Sequence, residues 1–241
     1  MKPISRSRSW RRLLVAVACA LLQGAAAAPF EDTMAQRMLA CTACHGPQGR
    51  AAADGYYPRL AGKPADYLYN QLLNFRDGRR TYRLMTGMVD PLSDAYLLEI
   101  ARHFAALEVP YPAPAPAKAT VQEFQRGEQL ALRGDASRGL PACVACHGSA
   151  LTGVLPATPG LLGLPRDYLN AQLGAWRTGL RKAHTPDCMA DVAQRLAPAD
   201  IAAVSAWLST RPLPAHTRAV APGSVPLPLR CGTALPPGGQ P

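Results

Sequence analysis

Two five-residue units carry the chemistry of this chain. Cys41-Thr42-Ala43-Cys44-His45 and Cys143-Val144-Ala145-Cys146-His147 each place two thiols three positions apart and a histidine directly after the second. On one helical turn, two such thiols can add to the two vinyl groups of a single haem, and the histidine then lies where its ring nitrogen can bind the iron. A structural zinc site wants four ligands in paired spacing and gives no reason for a histidine locked behind the second cysteine. A redox dithiol needs no histidine and belongs to a thioredoxin-like context. The spacing therefore predicts two covalently attached haem groups, on Cys41, Cys44, Cys143 and Cys146, with His45 and His147 as iron ligands.

The rest of the sequence repeats with these units. They lie 102 residues apart, and at an offset of 101 Pro58, Gly62, Asp66-Tyr67-Leu68, Gln71-Leu72, Arg76, Gly78 and Arg80 recur as Pro159, Gly163, Asp167-Tyr168-Leu169, Gln172-Leu173, Arg177, Gly179 and Arg181. Identity of this density marks an internal duplication. The duplication also selects a ligand for the far side of each iron. At an offset of 104, Met85 meets Met189, whereas Met88 meets Val192. Met85 and Met189 are thus the expected sulfur ligands, and Met88 is read as packing near the haem. His184 is a rival to Met189, but it falls opposite Arg80 and is read as a loop residue at the surface. Cys188, as a thiolate, is a further rival, and it falls opposite Leu84. His103, Met34 and Met38 are read as helix and core residues.

Each half must supply a scaffold for its site, and the pattern in both is helix, haem unit, loop, helix, Met loop, helix. Residues 30–45 and 121–134 read as leading helices. Residues 64–78 and 165–179 each open on Pro and Asp or Arg-Asp and close at Gly, so both helix ends are marked. In the closing helices, Leu97, Ile100, Phe104 and Leu107, and Ile201, Val204 and Leu208, recur at helical spacing and form core stripes. Residues 109–118, VPYPAPAPAK, read as an extended, semi-rigid linker. The last thirty residues are proline-rich without periodicity and read as an irregular tail. Its Cys231 is expected to pair with Cys188 and pin the tail near the second haem.

Composition and the first residues bound the setting. Of 241 residues 48% are hydrophobic but only 6% aromatic, so a planar cofactor is a natural core filler. A basic start, an apolar run over Leu13–Leu22 and small residues at Ala26, Ala27 and Ala28 form an export signal. The apolar run is too short to span a bilayer. Arg11-Arg12 fits a twin-arginine signal poorly, and the apolar stretch before Cys19 is too short for a lipoprotein signal. Cleavage after about residue 28 removes five basic residues and no acidic ones. The mature chain then keeps 21 basic and 16 acidic residues, and the apparent nucleic-acid character of a +10 protein goes with the leader.

Together, YPRLAGKPADYLYNQL, GLPACVACHG, MTGMVDPLSD and the tandem layout resemble the dihaem cytochromes c4, over about residues 33–210. The resemblance implies an all-α chain of two tandem class I cytochrome c domains, each wrapped around one covalently attached haem. The expected layout is a signal peptide over 1–28, cytochrome c domains over 29–108 and 120–211, a linker over 109–119 and a tail over 212–241. It implies two haem c groups, ligated by His45 with Met85 and by His147 with Met189. The carbonyls of Pro58 and Pro159 would hold the imidazoles, and Arg80 and Arg181 would lie near the haem edges. The implied role is electron transport in the periplasm, from the quinol-oxidising respiratory complex towards a terminal oxidase. Membrane association is peripheral and through partners, and no nucleic-acid partner is expected. Cys188 and the long tail depart from the pattern and keep a second reading open, the cytochrome subunit or haem enzyme of a periplasmic dehydrogenase of sulfur compounds or alcohols.

Overall fold

A computed structural model describes residues 31–52, 54–114, 116, 118–223 and 227–233. The expected leader, with Cys19, lies outside the described residues. Two units are distinguished, Met1–Arg37 and Met38–Pro241. In the first, the described residues carry helix α1 (Met34–Arg37), where Asp32 accepts two hydrogen bonds from Arg37 at 2.6 and 2.7 Å. The second unit holds both halves of the repeat and all the remaining elements.

The second unit is helical apart from one short hairpin. Its elements are α2 (Leu39–His45), α3 (Ala65–Arg76), α4 (Arg83–Val89), α5 (Asp94–Ala106), α6 (Val121–Arg133), α7 (Val144–His147), α8 (Arg166–Arg177), α9 (Cys188–Arg195) and α10 (Pro198–Ser209). Strands β1 (Gly153–Val154) and β2 (Thr158–Pro159) pair antiparallel within the second half. The single leading helix expected over residues 30–45 is instead two. At Met38 the chain tightens, and the Cys41 and Thr42 N–H groups both donate to its carbonyl at 3.0 Å.

Local chemistry explains where the longer helices begin and end. Helices α3 and α8 follow an extended proline, Pro64 and Pro165, whose fixed φ suits a helix start. Each carries an acid in its first turn and an arginine in its last, matching the helix dipole. Gly78 and Gly179 follow with φ of 73° and 75°, a left-handed conformation that stops a helix without a Cβ penalty. Ser93 caps α5 by accepting from the Tyr96 N–H, and Thr120 and Glu123 form a reciprocal capping box on α6.

Packing follows the apolar stripes. In the first half α3 packs on α5 through Leu68, Leu73, Leu97, Ile100 and Phe104, all buried. In the second half α6 crosses α10, which is buried along nearly its whole length. The crossing is close because Gly127 has no side chain: a Cβ there would lie 2.3 Å from the Ala203 carbonyl oxygen. Asp200, at the start of α10, accepts from Arg126 of α6 at 2.8 Å and from Arg138 at 2.7 Å, fixing the same crossing.

Two segments are more structured than their compositions suggest. The stretches holding Met85 and Met189, expected as loops, are short helices, α4 and α9, and Asp187 caps α9 by accepting from the Ala190 N–H. Past α5, Val109 is buried, and Arg59 donates to the carbonyls of Val109 and Pro110 while its guanidinium lies 3.7 Å from the centre of the Tyr111 ring. The start of the linker is thus held against the first half.

Because the α6–α10 crossing has no room for a side chain, Gly127→Ala is expected to cost about 1–3 kcal/mol. Thermal unfolding of the haem-loaded protein checks this, as a fall of several degrees in Tm.

Candidate haem sites

The histidines of the two units end their helices, α2 and α7, and both are buried. In each, Nδ1 is 2.8 Å (His45 to Pro58 O) or 2.7 Å (His147 to Pro159 O) from a proline carbonyl oxygen. A carbonyl can only accept, so Nδ1 carries the proton and Nε2 keeps its lone pair free for a metal. Burial pushes both imidazoles below their ordinary pKa, while the proline carbonyl works against that. Neutral imidazole is the form that binds iron.

One cavity of about 1130 Å³, lined mainly by apolar side chains, runs past both units. Cys41, Cys44 and His45 line it together with Met85, and Cys143, Cys146 and His147 line it together with Met189. The structure thus brings each predicted set of four residues to one apolar space. Burial pushes the Cys143 thiol up to about 12 and raises Cys41 and Cys146 as well. The raised thiols of Cys41, Cys143 and Cys146 are unlike the lowered thiol of a working redox dithiol. Met88 also lines the cavity. His184 is half-buried, with Nε2 3.1 Å from the Arg79 guanidinium of the first half, so it accepts from that arginine. Met38 is buried with its sulfur 3.9 Å from Cys41 Sγ, and His103 packs edge-on against Phe104.

Polar groups gather where the halves meet. Arg80 donates to Gln71 Oε1 at 3.2 Å and to Gln172 Oε1 at 2.7 Å, and Arg181 donates to Gln172 at 2.6 Å and to Gln71 at 2.8 Å. Each arginine thereby holds its own half's glutamine and the other half's, and Arg80 and Arg181 also pair through their backbones. Each guanidinium sits over an aromatic ring, Phe75 for Arg80 and Trp176 for Arg181. Gln71 and Gln172 were visible in the repeat as matched residues, but only the fold reveals their bridging role.

The tail closes one side of the second site. Val220 N–H donates to Gly153 O and its carbonyl accepts from Leu155 N–H, both at 2.9 Å, so the tail lies along β1. Further on, Pro222, Gly223, Leu227 and Leu229 line the cavity. Cys231 forms a disulfide with Cys188, directly before Met189, and Thr233 Oγ1 accepts from Asn70 of the first half at 2.6 Å. The composition of the tail gave no sign of this course beyond Cys231.

These residues fit a haem. The cavity is large, apolar and flanked by thiols and a histidine with one free nitrogen. It also presents Arg80 and Arg181, and the buried Trp176 Nε1–H, which has no partner, as donors suited to haem carboxylates.

Comparison with known proteins agrees. The cytochrome c family profile matches residues 32–96 and 124–212. A thiosulfate dehydrogenase electron acceptor of Thiomonas intermedia (strain K12) is 42% identical over 174 residues, 72% of this chain and 79% of that one. The crystal structure of reduced recombinant cytochrome c4 from Pseudomonas stutzeri matches with a TM-score of 0.62 and 33% identity, over 72% of this chain and 94% of that one. The structure of thiosulfate dehydrogenase (TsdBA) from Marichromatium purpuratum matches with a TM-score of 0.65 and 36% identity, over 72% of this chain. This chain spans only 36% of that longer one. The chain belongs to the cytochrome c family, among its dihaem cytochromes c4. Its two cytochrome c domains carry two covalently bound haem c groups, and it is a dihaem electron carrier.

Cys188 and Cys231 are bonded and the other four described cysteines belong to the haem units. The unfolded holoprotein is therefore expected to take up no N-ethylmaleimide before reduction and two equivalents after it, as read by intact mass.

Proposed function

We propose that this chain is a periplasmic carrier that accepts single electrons from a dehydrogenase of sulfur compounds and passes them towards a terminal oxidase. The observation that supports a carrier is the repeated pairing, in one apolar cavity, of a histidine locked by a proline carbonyl with a methionine on a short capped helix. The similarity to a thiosulfate dehydrogenase electron acceptor supports the donor class. The similarity to cytochromes c4 supports a second donor, the quinol-oxidising complex, acting on the same haems. The export signal supports a periplasmic location. Among the described residues, no helix is long and apolar enough to cross a membrane, and association with it would run through partners.

In this reading, Cys41, Cys44, Cys143 and Cys146 carry the haem groups through thioether bonds. His45 with Met85, and His147 with Met189, would bind the two irons. The domains divide at the linker over 109–119, and the described part of the tail, 212–223 and 227–233, lies against the second. A bound haem c supplies a one-electron iron couple whose potential is raised by a thioether ligand and an apolar shell. The chain does the rest by position. Pro58 and Pro159 hold each imidazole in one tautomer and orientation, α4 and α9 hold the methionines, and the apolar walls keep water out. With a histidine and a methionine both bound to iron, each site would serve one-electron transfer and not bond chemistry. The Arg80–Gln71–Gln172–Arg181 cluster keeps the halves at a fixed separation, which a transfer between them requires.

Two results are expected. The ferrous protein does not bind carbon monoxide rapidly, whereas Met85→Ala and Met189→Ala each open one haem to it. Each also lowers one reduction wave, within the roughly 0.8 V that axial ligands span. Rapid carbon monoxide binding by the unaltered protein would favour a haem enzyme. Mixing the oxidised protein with a thiosulfate dehydrogenase and thiosulfate is expected to reduce both haems in stopped-flow absorbance. No reduction there, with reduction by a quinol-oxidising complex, would move the donor to the second class.

A further inference from the structure

The two halves match closely at their clamp but differ behind the second proximal histidine. Lys63 belongs to the first half, yet its ammonium donates to the Gly160 carbonyl of the second at 2.8 Å. Gly160 follows Pro159, whose carbonyl holds His147. Lys63 is only 5% exposed, lines the haem cavity, and lies close enough to His147 to depress that imidazole's affinity for a proton. At the repeat offset its counterpart is Leu164, and the Gly160 it meets stands opposite Arg59, the buried cation that follows Pro58 in the first site. Arg80 and Arg181 are paired by the repeat, and Arg80 is the cation that depresses His45 as Lys63 depresses His147.

Nothing of opposite charge offsets Lys63. Among the described residues it makes no ion pair, and the charged group facing it is another cation, Arg59, itself turned to the linker carbonyls and Tyr111. Burial, with Arg59 adding to it, pushes the ammonium down to about 7. Holding an unpaired ammonium out of water costs stability, so packing alone does not account for a lysine here. An uncompensated positive charge in a low-dielectric wall does favour the reduced form of a nearby iron, because reduction removes one positive charge.

We propose that Lys63, from the first half, raises the potential of the second haem. The inference rests on the reading that His147 binds the second haem.

The test is a potentiometric titration at pH 6, where the ammonium is charged, of the full haem-loaded chain and of Lys63→Met and Lys63→Gln. Methionine keeps the shape, and glutamine keeps a donor for the Gly160 carbonyl. Both are expected to lower one wave by roughly tenfold in the reduction equilibrium, about 59 mV for a one-electron couple, and to leave the other in place. Neither variant is expected to melt below the parent. Repeating the series in a Met85→His background identifies the wave, since that change displaces the first haem's wave and leaves the second's. The proposal fails if both waves stay put, if Lys63→Gln restores what Lys63→Met loses, or if the shifted wave is the one Met85→His displaces. If Met85→His displaces neither wave, the ligand assignment fails separately, and Lys63 is still judged by whether its loss lowers one wave alone.

Discussion

An imidazole can serve a metal through one nitrogen only when something else holds the other, and that constraint organises this molecule. The Pro58 and Pro159 carbonyls meet it in the two halves, at nearly equal distances from His45 and His147. Each carbonyl lies on the strand of chain that leads into α3 or α8. The prolines are therefore placed by the same helices that build the interface between the halves. Those helices start where Pro64 and Pro165 fix the backbone and end where Gly78 and Gly179 allow it to turn. The histidine hydrogen bond, the helix ends and the Arg–Gln clamp are consecutive parts of one segment, retained twice.

On this shared frame the halves have been made unlike. The second half has the β1–β2 hairpin, the tail laid along it and the disulfide that ties the tail to α9. It also has Trp176 where the first has Phe75, and Lys63 of the first half reaches the carbonyl next to its Pro159. Tyr56, Leu84 and Met88 of the first half and Leu155, Leu180 and Leu227 of the second all line the common cavity. A carrier with two equivalent haems has no preferred direction. Differences in cover, hydrogen bonding and charge between two similar sites are the means by which a duplicated protein acquires one.

The sequence was most legible where chemistry demands a fixed spacing. The Cys-x-x-Cys-His units, the helix ends and the apolar stripes could all be read because each depends on residues close along the chain. The repeat extended that reach, since a residue retained at a fixed offset reports a shared requirement; Gln71 and Gln172 announced themselves this way, although not what they hold. Long-range placement was illegible. Nothing in the sequence marked Lys63, because the carbonyl it meets is 97 residues away. The tail read as irregular because its order comes from pairing with Gly153 and Leu155 and from one disulfide, not from periodicity. The methionine segments read as loops because α4 and α9 are too short to show a pattern, and α9 depends on its Asp187 cap.

Two histidine–methionine haem sites exchanging single electrons within one chain would leave a joint redox and spectral signature. A potentiometric titration of the mature protein, with its visible spectrum recorded at each potential, reads both. Two one-electron waves are expected, both at high potential, with the methionine-sulfur band present on both ferric haems. A single wave, or a low-potential haem lacking that band, would contradict this expectation.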